Sequence, residues 1–145
     1  VGFDGGKKIK GRKRHLMVDT LGLVMMVVVT AANVSDQQGA RRIFKRLSEL
    51  PERIARLVLI WVDGTYDGID FLQWTMDTYR WLLETIKRSD HAKGFVLLPK
   101  RWVVERTWGW LNWSRRLSKD YEVLPETSET FIYVAMIRLM LRRLA

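Results

Sequence analysis

Two acidic residues stand in settings that favour chemistry. Asp63 follows directly on the apolar run Leu57, Val58, Leu59, Ile60, Trp61 and Val62, and precedes Gly64. Glu105 lies in a stretch crowded with tryptophan and arginine, from Arg101 through Trp102, Arg106, Trp108, Trp110 and Trp113 to Arg115 and Arg116. One carboxylate at a strand end and another on a basic helix would together offer hard oxygen donors suited to Mg2+ or Mn2+. Such ions stabilise the attacking and leaving oxygens of an in-line phosphoryl transfer. Spacing alone does not bring the two together. Asp63 reads equally well as a turn-forming Asp-Gly, and on spacing alone Glu105 reads more readily as half of an i,i+4 ion pair with Arg101 than as a ligand.

Charge points to the partner. The 145 residues carry 25 Lys+Arg against 16 Asp+Glu, a formal charge of +9, which suits a polyanion whose counterions are released on binding. Lys7, Lys8, Lys10, Arg12, Lys13 and Arg14 form one candidate phosphate-contacting run; a solvated charged loop explains them as well. Arg115, Arg116 and Lys119 form a second cluster. His15, beside so many cations, reads as a phosphate or structural contact, and His91 has no evident partner. With no cysteine there is neither a disulfide framework nor a thiolate metal site. The longest uncharged apolar run, residues 21–32, is too short for the roughly 20 residues of a membrane span. No spanning helix or signal peptide is expected.

The elements that must position these residues follow from hydrophobic period. Residues 1–13 read as a basic, glycine-punctuated loop. Residues 14–20 and 23–30 read as two strands, the second buried on both faces. Ser35 or Asp36 opens a helix to about Leu50, ended by Pro51. Residues 57–62 read as a buried strand, 67–78 as a helix, 81–87 as a strand, 99–117 as a helix. A final helix after Pro125 is capped by Thr127 or Ser128, with Glu129 in its first turn. The order ββαβαβαα predicts one α/β layered domain without repeat or linker. On the helix carrying Glu105, residues 101, 105, 108, 112, 115 and 119 share a face, and Val103, Val104, Trp110, Leu111 and Leu117 oppose it. Trp108 and Trp113 are then free to stack on bases or on protein. Gly109, at a cost of roughly 1 kcal/mol against alanine, marks either a close backbone approach or a tolerated site. Asp4, Asp19, Asp67 and Asp90 are explained by turn chemistry.

Beyond spacing, a combination of segments carries a resemblance over essentially the whole chain. Gly2-Phe3-Asp4-Gly5-Gly6-Lys7-Lys8 with its continuation to His15, Val18-Asp19-Thr20-Leu21-Gly22, Asp63-Gly64-Thr65-Tyr66, Lys87-Arg88-Ser89-Asp90 and Leu98-Pro99-Lys100-Arg101-Trp102-Val103-Val104-Glu105-Arg106-Thr107 resemble the catalytic domain of bacterial insertion-sequence transposases of the DDE class, in the group named for insertion sequence five. The resemblance implies an RNase H-like mixed sheet flanked by helices and three acidic residues that bind Mg2+ or Mn2+ to cut DNA ends and join them to a target. Asp63 matches the second Asp, Glu105 the final Glu, and Arg101 the Arg of the Tyr-Arg-Glu-Lys signature. It further implies a cytoplasmic, nucleoid-associated bacterial protein acting on transposon ends and target DNA, and leaves a homodimer open for the full-length protein.

The chain departs from that pattern at Leu98, in the signature's Tyr position, at Asn112, in its Lys position, and at Thr65, where a small residue is common; Arg115 and Arg116 are candidates to replace the missing cation. The family's first Asp lies on a strand ahead of Gly2, so the expectation is a catalytic domain lacking its first strand and inactive alone. The alternatives are a basic DNA-binding remnant and an RNase H-like nuclease of another role.

Overall fold

The computed structural model describes residues 1–86 and 99–145, with side chains in the second part described from residue 102. Lys87, Arg88, Ser89, Asp90, His91 and Leu98, and the expectations attached to them, lie outside the described residues.

The expected N-terminal loop is instead a hairpin of β1 (Gly2–Asp4) and β2 (Ile9–Val18). Asp4 makes the turn by accepting hydrogen bonds from the backbone N–H of Gly6 (2.9 Å) and Lys7 (3.1 Å), and Lys8 takes the left-handed conformation at φ 54°. Cationic side chains concealed the strand period: their stems lie along the sheet while their heads reach acceptors at its margin. β2 pairs antiparallel with β3 (Val24–Ala31), with a bulge at Met17 and Val18. The turn between them is built by Asp19, whose Oδ1 accepts from the N–H of Leu21 and Leu23, and by Gly22 at φ 85°.

α1 (Asp36–Ser48) starts in a capping box formed by Ser35 and Gln38. Pro51 does more than end it, because its fixed φ opens the short α2 (Pro51–Ile54). β4 (Leu59–Val62) then pairs in parallel with β5 (Leu82–Thr85) across α3 (Ile69–Tyr79). α4 (Pro99–Asn112) is shorter than expected, since a single 3-10 turn, Arg115–Leu117, follows it. The proposed stripe therefore does not run on through Arg115 and Lys119. α5 (Pro125–Leu144) is entered from Leu124 with Pro125 in its first turn, so Thr127 and Ser128 lie inside the helix and do not cap it.

The antiparallel sheet is buried on both faces. Met26 and Val28 pack with Ile43, Phe44 and Leu47 of α1, whereas Val27 packs with Leu111, Leu117, Ile132 and Met136. Phe44 also anchors an aromatic cluster with Phe71, Tyr79 and Trp81, which ties α3 and β5 to α1. β4 is only half covered: Ile60 is buried, but Leu59 and Trp61 are exposed, against the expectation of a buried strand. Among the described residues, residues 12–18 of β2 pair only with β3, and β4 only with β5. The two sheets thus face each other with an unpaired edge on each. No helix of the described residues is long and apolar enough to cross a membrane.

Candidate active site

A cleft of about 1670 Å3 separates β2 from β4, and Asp63 and Glu105 both line it. Asp63 takes its place because β4 ends at Val62 and the next residue caps the 3-10 turn Gly64–Tyr66. Its Oδ1 accepts from Thr65 N–H at 2.9 Å and from the Thr65 hydroxyl. Thr65, at a position where the resemblance has a small residue, thus holds the carboxylate in one rotamer. Tyr66 stands beside it, its phenol pushed up to about 12 by burial, with the charges of Asp36 and Asp63 adding to the effect.

Glu105 is positioned by its neighbours. The Thr107 hydroxyl, fully buried, donates to Gly22 O at 2.6 Å, and Arg106 Nη2 donates to Leu21 O at 2.9 Å. These bonds pin α4 against the turn between β2 and β3. Two residues correspond to about 200° of helix rotation, so Glu105 leaves the opposite side, where the cleft lies. Gly22 permits this approach: a Cβ there would come within 2.9 Å of the Thr107 hydroxyl. Gly109 is a different case, with open space around it, so its glycine is tolerated and not required. Arg101 falls in the first turn of α4, and the expectation for its side chain lies outside the described residues.

The donors lining the cleft are carboxylates, the chemistry a hard divalent cation selects. Among the described residues, however, no three His, Cys, Asp or Glu side chains converge as a metal-holding group. Asp4 and Asp19 also line the cleft but are spent on turns. The Asp4 carboxyl is held below its ordinary range chiefly by the N–H of Lys7, with Gly6 and Lys13 assisting against desolvation.

The candidate phosphate contacts divide. Lys7, Lys8 and Lys10 are exposed, as are Arg115 and Lys119. Arg12 is committed internally, to Asp120 and to the carbonyls of Glu122 and Val123, and Arg14 donates to the carbonyls of Leu117 and Lys119. Lys13 bonds Val34 O at 3.1 Å and lies 3.5 Å from both Asp4 and Asp36. Arg116 pairs with Glu122 and lies over Phe131. Arg12, Lys13 and Arg14 thus hold residues 117–123 and the start of α1 against β2, and Arg116 braces the same segment on α5, roles the sequence did not disclose. Trp113 is exposed as expected, whereas Trp108 packs on the second core.

Of the two readings of His15, the structural one holds, and Glu129 takes a role the sequence did not disclose. His15 is buried and bonded to Thr30 Oγ1 at 2.9 Å, its ring directly against Gly39 of α1. Glu129, expected in the first turn of the final helix, turns inward to accept from Val29 N–H (2.8 Å) and Arg46 (2.8 Å). The available signal was a glycine within an otherwise well-formed helix and an acid facing an apolar strand.

A strand-end Asp and a helix-borne Glu thus line one cleft of a layered α/β domain, and the chain belongs to the transposase DDE domain family, whose model matches residues 2–140. It is similar to a Burkholderia cepacia protein whose name assigns it as the transposase for insertion sequence element IS402, with 28% identity over 119 residues, 77% of this chain and 54% of that protein. The chain thus spans about half the length of this relative. No solved structure matches it.

Proposed function

We propose that the chain forms most of the catalytic domain of an insertion-sequence transposase of the group named for insertion sequence five, with Asp63 and Glu105 as two of three metal-binding acids. The observation that carries this reading is that both carboxylates line one cleft, each at the end of a distinct anchoring device. The cleft between the unpaired edges of β2 and β4 supports an RNase H-like sheet in which a further strand, bearing the first Asp, lies between them. β1 already runs antiparallel along the edge of β2 at Gly2 and Gly11, and a strand entering from that side would follow the edge toward Val18.

Mg2+ or Mn2+ bound there would supply charge stabilisation for cutting and joining DNA. Asp63, fixed by Thr65, and Glu105, fixed through Thr107, would hold it. Lys7, Lys8 and Lys10 would guide the DNA backbone to the cleft, and Arg101 precedes Glu105 by one helical turn of α4. A site holding only these two acids should bind metal weakly and should not cleave DNA. Mn2+ titration followed by electron paramagnetic resonance tests the assignment. Asp63→Asn and Glu105→Gln should each weaken binding, and joining the chain to an upstream segment that supplies the third acid should strengthen it and permit cleavage of transposon ends. Unchanged Mn2+ affinity in both variants would sink the assignment.

A further inference from the structure

We propose that the notch between the end of α4 and the C-terminal half of α5 binds an unpaired nucleotide of a DNA strand, its base stacked on Trp113 and its phosphates held by Arg138 and Arg142. This rests on the reading of the chain as a DNA-processing domain, but concerns a notch that shares no lining residue with the cleft. The notch encloses about 130 Å3, room for a single planar ring system, and is lined by Trp110, Trp113, Ala135, Arg138, Leu139 and Arg142. Trp113 is 86% exposed and has no ring contact or hydrogen bond among the described residues. The neighbouring Trp110 is already engaged by the guanidinium groups of Arg106 and Arg143, at 4.8 and 4.4 Å from its ring centre.

Arg138 and Arg142 lie one turn apart on α5, and neither has a carboxylate partner among the described residues. From Thr130 to Ala145 the sequence contains no acid at all. The helix dipole accounts for a cation in the last turn, where Arg142 lies, but not for Arg138 further in. An exposed indole beside two uncompensated guanidiniums matches a strand that offers a π-face and phosphates together. A paired duplex hides its base faces in the stack, so the ligand is an unpaired nucleotide.

The test compares the chain's affinity for a short single-stranded oligonucleotide and for the same sequence as duplex. Trp113→Ala should weaken single-strand binding roughly five- to hundredfold and leave duplex binding within about twofold, while Trp113→Phe retains most of it. Arg138→Gln and Arg142→Gln should each flatten the single-strand salt slope by about 0.7. Thermal unfolding of each variant checks that the fold is intact. Equal losses for both nucleic acids, no loss at all, or failure of the parent chain to bind the single strand while it binds duplex would overturn the proposal and spare the transposase reading. Failure to bind either form would count against both.

Discussion

The imidazole of His15 fills the space in which a side chain at Gly39 would stand, so strand β2 and helix α1 meet with only a glycine between them. In most helix interiors, replacing glycine with alanine stabilises by roughly 1 kcal/mol. Here the sign should reverse. Gly39→Ala is expected to cost about 1–3 kcal/mol by overpacking, read from urea unfolding. In the double variant with His15→Ala the two effects should be strongly non-additive, because the alanine methyl then has room.

The same histidine makes stability depend on pH. Burial lowers its pKa from the ordinary 6.5; Asp36 opposes this, whereas Lys13 and Arg42 reinforce it. The unfolded chain therefore binds the proton more readily, and stability should fall as pH drops below about 6.5 toward the depressed folded value. Above that range the contribution is constant. Comparing unfolding midpoints at neutral and mildly acidic pH for the parent and for His15→Gln checks this: the variant should lose the part of the slope near 6.5.

Glu129 and Arg46 should prove unequal partners. The carboxylate is nearly buried and also satisfies the Val29 N–H, while Arg46 is about half exposed. Glu129→Ala should cost about 1.5–3 kcal/mol, the scale of a hydrogen bond to a charged group. Arg46→Ala should cost less, about 1 kcal/mol or below, because solvent screens its end of the pair. Equal losses on denaturant unfolding would contradict this asymmetry.

Two classes of cation should separate in DNA binding. Neutralising Lys7, Lys8 or Lys10 should reduce the dependence of duplex affinity on salt by about one unit of slope each, with no change in melting temperature. Arg14→Gln should do the opposite, lowering stability by removing two bonds to carbonyls with little effect on the slope. A salt series on each variant, paired with a melting curve, resolves the two.

How much of this was legible depended on the range of the interaction. The start of α1 at Ser35 or Asp36, the doubly buried valines of β3 and the strand end at Asp63 are written in residues within a few positions of one another, and the sequence discloses each, though not that Ser35 makes the cap with Gln38. The β1–β2 hairpin was not, because Lys10, Arg12 and Arg14 mask the strand period while their stems serve the sheet. The destinations of Arg12, Arg14 and Glu129 lie about a hundred positions away in sequence, and no local pattern encodes them. The two candidate carboxylates, Asp63 and Glu105, could be named from resemblance, but that they line one cleft depends on α4 being docked on the Gly22 turn through Thr107.

The outer rim of β3 has its backbone N–H groups occupied by side chains of α5, Val27 by the Tyr133 hydroxyl and Val29 by Glu129. A strand rim blocked in this way offers no template for stray chains to add to, so polymerisation through that side is closed. The antiparallel sheet is consequently one-sided in its capacity to grow: beside β3 an added strand finds the rim taken, whereas residues 12–18 of β2 keep an edge without a strand partner among the described residues. During synthesis and refolding this directs an incoming extended segment to one berth and one register. Loosening Glu129 should therefore appear first as a tendency to aggregate, before any loss of secondary structure.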